Sequence, residues 1–291
     1  MAAELIDGVS LAAKWKAETA AGIAQLRALG KPVHLVAVLV GGTPAAELYA
    51  DRQAAGCRAI GIDYTLAALP DDISNRDLRH EIKRLSTDNS VTGIMLHMPL
   101  PHHIDTARVQ YEIDVVKDVE GVSPANIGYV FYRRAVIAPC TAMAAVQLID
   151  HSGVAVEGAE VVVVGASHIV GKPIAMMLLE KMATVSVCHI ATRDLKLHTK
   201  RADILVVAAG KAGLITADHV KPGACVIDVG INRVAQPGGT YKTVGDVAFD
   251  AVRDIAGHIT PVPGGVGPMT VAVLLRNTLR SAQILAGVAA T

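Results

Sequence analysis

Aromatic residues make up only 3% of the 291-residue chain, so its core has to be built from Ala, Val, Leu and Ile. An excess of charge is also lacking: 27 Lys+Arg balance 27 Asp+Glu, and the formal net charge is zero. That balance argues against a broad nucleic-acid or membrane surface, while leaving room for a local basic pocket that holds a phosphate. Cysteines number four (Cys57, Cys140, Cys188 and Cys225), far apart and with no C-x-x-C pair. Reduced thiols in a cytosolic protein are expected, and no metal site. Acidic Glu4 and Asp7 interrupt the N-terminus where a secretory leader would be basic and then apolar. No uninterrupted apolar run approaches a membrane span. The expectation is a soluble, cytoplasmic protein without repeats or low-complexity segments.

Apolar residues are abundant, at 52% of the chain against 19% charged, and the length suits two ordinary domains or one large one. Short β-branched runs alternate with amphipathic stretches, which predicts an α/β fold with a largely parallel sheet. In the first half, 34–40, 64–68 and 91–96 read as strands, with helices over 44–61 and 75–86. Met98-Pro99-Leu100-Pro101 stops the third strand at its C-terminal edge, where ligands sit in α/β sheets. A second series follows Pro139-Cys140-Thr141: helices over 141–151 and 170–182, and strands over 161–164, 184–188, 204–208 and 225–229. This is the layout of a dinucleotide-binding domain.

Two loops stand out. Pro261 to Thr270 reads P-V-P-G-G-V-G-P-M-T and precedes an apolar helical run over 271–285. Three prolines and three glycines in ten residues specify a stiff path unlike a linker's, so the segment reads as a loop shaped around a ligand. The second is Gly165-Ala166-Ser167-His168-Ile169-Val170-Gly171-Lys172-Pro173, directly after a valine run. A glycine-containing strand-to-helix turn presents free N–H groups and a positive helix end to a phosphate. It departs from G-x-G-x-x-G at Ser167. After the next strand come His189 and Arg193, with no Asp or Glu for a ribose. Arg193 suits the 2′-phosphate of NADP; a solvated surface arginine is the other reading, and NAD stays open.

Taken together, Gly165 to Pro173, Val226 to Asn232, Gly245 to Phe249 and Pro261 to Thr270 resemble the signatures of the FolD-type methylenetetrahydrofolate dehydrogenase/cyclohydrolase family. Lys117 to Gly121, Met98 to Pro101 and Pro139 to Thr141 are similar to three more. The resemblance implies two α/β domains: residues 1–140 plus 270–291 for substrate and a Rossmann-like doubly wound domain over 141–269 for NAD(P), with a pterin-binding cleft between them. It implies a homodimer too. It assigns cofactor contacts to Gly165, Ala166, Ser167, Ile169, Val170, His189, Arg193, Ala209, Gly230 and Ile231. It assigns substrate contacts to Tyr49, Gln53, His97, Met98, Pro99, Glu120, Pro261, Gly264, Gly265 and Pro268, with Tyr49, Gln53, His97 and Glu120 also as catalytic candidates.

The chain departs from the family on one wall of that site. Where the family has Ser-x-x-Tyr-x-x-x-Lys on a helix, this chain has Ala46, Tyr49 and Gln53, which share one helical face. The family's Gln of Q-L-P-L-P is His97, and the second Asp of K-D-V-D-G is Glu120. Hydride transfer from a methylene bridge moves no proton, whereas hydrolysis of the resulting methenyl cation does. General acid–base assistance is worth ~10²–10⁴-fold, and the amide of Gln53 cannot titrate. The expected activity is therefore an NAD(P)-dependent 5,10-methylenetetrahydrofolate dehydrogenase with the cyclohydrolase lost or weak. His97 stands as a conceivable rescue or as a space-filling partner, and Asp118 as a structural residue. Two alternatives are a dehydrogenase acting on another pterin C1 carrier or a different substrate, and a silent pterin- or nucleotide-binding paralogue.

Overall fold

A computed structural model describes residues 2–42, 44–237 and 239–288; the side chains of residues 44–49 and 52, Ala46 and Tyr49 among them, lie outside the described residues. The elements run, in chain order, β1 (Glu4–Leu5), α1 (Gly8–Ala28), β2 (His34–Val40), α2 (Pro44–Ala59), β3 (Asp63–Leu69), α3 (Asn75–Thr87) and β4 (Gly93–Leu96). Next come α4 (Thr106–Tyr111), α5 (Pro124–Phe131), α6 (Cys140–His151), β5 (Glu160–Val164), α7 (Gly171–Glu180), β6 (Thr184–Cys188) and α8 (Leu195–Thr199). The rest are β7 (Ile204–Val207), β8 (Cys225–Asp228), β9 (Asn232–Ala235), β10 (Tyr241–Val244), α9 (Phe249–Arg253), β11 (His258–Ile259) and α10 (Val266–Ala286). Among the described residues no helix is long and apolar enough to cross a membrane.

The chain divides into two compact units, one of residues 14–138 and 274–291, the other of residues 1–13 and 139–273. The first holds a three-stranded parallel sheet in the order β3-β2-β4. Its central strand, His-Leu-Val-Ala-Val-Leu-Val, is buried from its second residue onward, as expected of a parallel strand covered on both faces. Helix α3 shows how sequence makes an element here. The Ser74 hydroxyl caps it by accepting the Asp77 N–H, and Leu78, Ile82 and Leu85 recur at spacings of four and three on its buried stripe. They pack on Val36, Val38 and Ile94. Full burial of each such side chain contributes roughly 1.5–3 kcal/mol.

The second unit holds a six-stranded sheet in the order β1-β11-β8-β7-β5-β6, parallel at every pairing. From β5 the chain steps outward to β6, then crosses back to β7 on the other side, so the strand order reverses beside β5. Such a switch point opens a crevice at the C-terminal strand ends.

Two boundaries differ from the sequence reading. Residues 1–13 go with the second unit because β1 pairs with β11, Glu4 opposite His258 and Leu5 opposite Ile259, and Ala3 N–H donates to Arg253 O at 2.8 Å. Helix α10 begins at Val266, earlier than residue 271, because Pro268 falls in the first turn, where its missing N–H leaves no helical bond unmade.

Candidate active site

In the second unit the predicted cofactor residues follow the C-terminal ends of four neighbouring strands: Gly165 to Val170 after β5, His189 and Arg193 after β6, Ala209 after β7, and Gly230 and Ile231 after β8. The β5–α7 turn requires its glycines. Gly165 has φ +122°, and a Cβ there would lie 2.1 Å from Ala208 O; a Cβ on Gly171 would lie 1.9 Å from Gly165 O. The backbone therefore folds tightly against the end of β7 and rises over the start of α7. Within that loop the backbone N–H groups of Ser167, His168, Ile169 and Val170 donate to no described residue. Free donors at the start of a ten-residue helix fit an anionic pyrophosphate. The loop after β6 is held by His189 N–H donating to Thr192 Oγ1 at 2.9 Å and by Ala191 N–H donating to the His189 ring at 3.2 Å. Arg193, exposed, follows at once.

A pair of buried carboxylates shapes the neighbouring turns. Asp228 accepts the N–H groups of Gly230 and Asp246 on Oδ1 and of Val247 on Oδ2, while its own N–H donates to Thr260 Oγ1. Asp246 accepts from Ala209 N–H, Gly210 N–H and the Asn232 side chain. Gly245 and Gly230 leave no room for a side chain, since a Cβ would stand 1.8 Å from Asp228 Oδ2 and 2.3 Å from the Asp246 carboxyl carbon. Burial, opposed by the three N–H bonds and reinforced by Asp246, pushes the Asp228 carboxyl up to about 6. The two quoted segments V-I-D-V-G-I-N and G-D-V-A-F are thus two sides of one hydrogen-bonded knot. It presents Gly230 and Ile231 to the 261–268 loop, and together they line a cavity of about 60 Å³ that includes Pro261, Gly264, Gly265 and Pro268.

In the first unit the other predicted residues collect at the C-terminal end of β4. His97, Met98, Pro99 and Glu120 line an open cavity of about 850 Å³. Its remaining wall includes Leu39 and Val40 at the end of β2, Gly41 and Gly42 just after it, Asp71 after β3, and His102, none of which the sequence singled out. Apolar strand ends followed by Gly-Gly or by Pro-Asp were the available signals. Gln53 on α2 is half-buried: its Nε2 donates to Met95 Sδ at 2.8 Å and its Oε1 accepts from the Tyr64 hydroxyl at 3.1 Å. Buried His97 keeps its backbone N–H on Val38 O, and burial lowers its ring below the ordinary histidine range.

The Lys117 to Gly121 turn is a rigid bracket for Glu120. Lys117 Nζ donates to Asp88 O at the end of α3 (2.7 Å), and fully buried Asp118 accepts from Val122 N–H, Ser123 N–H and Asn126 Nδ2. Asn277 of α10 donates to Val119 O at 2.9 Å, and Gly121 closes the turn at φ +68°. Asp118 is thereby a structural residue. Glu120 Oε2 accepts the Leu96 N–H at 3.0 Å. Burial, partly offset by that bond and reinforced by the Asp118 charge, pushes its carboxyl up to about 7.

Residues 6–120 match the family described as tetrahydrofolate dehydrogenase/cyclohydrolase, catalytic domain, and residues 139–286 match the NAD(P)-binding domain of the same family. Bifunctional protein FolD 2 of Mesorhizobium japonicum is 49% identical over 253 residues, which cover 87% of this chain and 83% of that protein. The FolD methylenetetrahydrofolate dehydrogenase/cyclohydrolase of Campylobacter jejuni superposes with a TM-score of 0.93 at 43% identity, over 97% of this chain and 99% of its own. The Trypanosoma brucei enzyme, solved with NADP and an inhibitor, gives 0.92 at 37% identity over 98% of both. With both halves matched in order by the family's two domains and relatives covered over most of their length, the chain belongs to the tetrahydrofolate dehydrogenase/cyclohydrolase family.

Proposed function

We infer that this chain is an NADP-dependent 5,10-methylenetetrahydrofolate dehydrogenase in which the cyclohydrolase step is weak or lost. One observation carries the second half of that reading: Gln53 occupies the place of a lysine, and its amide is engaged at both ends by Met95 and Tyr64. Relatives at this similarity are named bifunctional, so the loss is a property read from this chain's own residues.

When bound, the nicotinamide accepts the hydride of the methylene bridge. The chain's own contribution to that step is placement and exclusion of water, which demand no titrating side chain. Free N–H groups over Ser167 to Val170 and the start of α7 suit the pyrophosphate, and Arg193 suits a 2′-phosphate. The cavity after β4 is the place for the pterin. There the Glu120 carboxyl takes the amino-pyrimidine edge, with His97, Met98 and Pro99 around the ring; the family resemblance adds Gln53 and Tyr49, the latter's side chain outside the described residues. The family resemblance assigns further substrate contacts to Pro261, Gly264, Gly265 and Pro268, which line a cavity of their own in the second unit.

A homodimer in the cytoplasm belongs to the same reading, and native mass spectrometry separates one chain mass from two. The direct test supplies methylenetetrahydrofolate to purified protein with NADP or NAD and follows absorbance of the reduced cofactor. Faster reduction of NADP is expected. Absence of reduction with either cofactor overturns the assignment.

A further inference from the structure

We propose that the solvent face of α3 holds the glutamyl tail of the folate substrate, with Arg76, Arg79 and Lys83 receiving its carboxylates. The proposal rests on the folate reading above and extends it to the end of the substrate that takes no part in the chemistry. Arg76, Arg79, His80 and Lys83 stand at i, i+3, i+4 and i+7, so they share one face over about 10 Å of helix. That face lies opposite the buried stripe of Leu78, Ile82 and Leu85. The four side chains line a cavity of about 140 Å³ with a single carboxylate, Glu112 at the end of α4. In a chain whose charges balance overall, a concave surface of one sign raises the local concentration of an anion.

The surrounding carboxylates do not neutralise the stripe. Arg79 Nε donates to Glu112 Oε1 at 2.9 Å and Nη2 donates to the same oxygen, which fixes the guanidinium and leaves Nη1 without a described partner. Arg76 and Lys83 are exposed and form no ion pair among the described residues. The acids of α3 itself sit on another side of the helix: Asp77 accepts from the Ser74 hydroxyl, and Glu81 is held by Arg84. Asp105, ahead of α4, pairs with Arg108.

The stripe begins where the large cavity after β4 ends, and both belong to the first unit. Asn75 Nδ2 donates to His103 O at 2.6 Å, its Oδ1 accepts the Asp105 N–H at 2.8 Å, and the His103 ring donates to Ile73 O at 3.0 Å. These bonds tie the start of α3 to the 101–105 loop, whose Pro101 and His102 wall the large cavity. Arg76 is the next residue on the helix. Inside the cavity, Leu96 and His97 beside Glu120 are buried, whereas Asp71, Met98 and His102 are exposed at its rim. A folate with its amino-pyrimidine edge on Glu120 therefore sends its glutamate end out over the rim. A γ-linked tail adds one free carboxylate per residue and meets Arg76 first and Lys83 last. Each exposed contact is weak and screened by salt, so the gain grows with tail length and falls with ionic strength.

The test reads binding, so that it does not depend on turnover. Dissociation constants of the monoglutamyl and pentaglutamyl forms of tetrahydrofolate are measured by isothermal titration calorimetry on the full chain, with and without NADP, at low and at high salt. At low salt the wild type should bind the pentaglutamyl form about tenfold tighter, the sum of a few exposed charge pairs, and the margin should shrink at high salt. Arg76→Gln combined with Lys83→Gln should cut the ratio to about threefold or less. Arg84→Gln, which removes a cation from another side of the same helix, should leave the ratio as it is. Arg79 is kept in every variant, because its loss would strand Glu112. Equal affinity of the wild type for the two forms overturns the proposal and leaves the folate reading in place. So does a ratio that the double variant does not lower, which would put the tail elsewhere. Failure of both forms to bind would overturn the folate reading along with it.

Discussion

At the scale of single residues, the proposed weakening of hydrolysis rests on one position, where the family resemblance puts a lysine and this chain has the amide of Gln53. Gln53 fills its place well, with donors and acceptors satisfied on Met95 and Tyr64, so the substitution does not leave a damaged site. What it removes is titration. Gln53→Lys should raise methenyl hydrolysis by ~10²-fold or more, the lower end of the share attributed to a positioned acid–base group. An unchanged rate would place the block in Ala46, His97 or Glu120 instead. Arg193 makes a similarly local prediction. It is exposed and forms no ion pair among the described residues, so Arg193→Ala should leave stability within ~0.5 kcal/mol. It should weaken NADP about tenfold or more while sparing NAD, read as separate Kd values by fluorescence titration. Equal losses for both cofactors would remove Arg193 from the 2′-phosphate site.

At the scale of elements, function depends on how strands end. The glycine after β5 is required by a contact with the backbone of Ala208, so Gly165→Ala forces either a shift of the β7 end or a strained φ. The cost should be about 2 kcal/mol or more, seen in urea unfolding, together with loss of nucleotide binding. The Asp228–Asp246 knot predicts a pH effect on stability. A carboxyl raised from 3.8 to about 6 binds its proton more tightly in the folded chain than in the unfolded one. Its contribution is therefore present at low pH and lost as pH rises through about 6; the difference corresponds to roughly 3 kcal/mol. Asp228→Asn should lower stability overall, because one amide cannot accept three N–H groups, and should also flatten the decline between about pH 4 and 6. A slope identical to wild type would show that Asp228 does not titrate in that window.

At the scale of the whole chain, the sequence carried much of the fold because buried parallel strands are written as local runs. Val161 to Val164 is such a run, and the turn after β5 follows it within a few residues. The pairing of β1 with β11 was not legible, since two-residue strands have no periodicity and their partners lie 254 residues apart (Glu4 with His258). The β9–β10 hairpin escaped for a related reason: its strands are mostly polar and exposed, with Arg233 stacked on Tyr241. In the candidate site, the departures at Gln53, His97 and Glu120 were visible as residue types. Their consequences were not. That Gln53 is tied to Met95, or that Glu120 is held on the Leu96 N–H, depends on contacts between segments tens of residues apart.

The central claim is that hydride transfer has been kept while hydrolysis has been weakened, and the two can be watched in one cuvette. Purified protein is given methylenetetrahydrofolate and NADP, and the methenyl product is quantified against NADPH formed during the first turnovers, with buffer hydrolysis subtracted. The account predicts that methenyl accumulates nearly one for one with NADPH. Steady NADPH formation with only a trace of methenyl, as a fully coupled bifunctional enzyme gives, would contradict it.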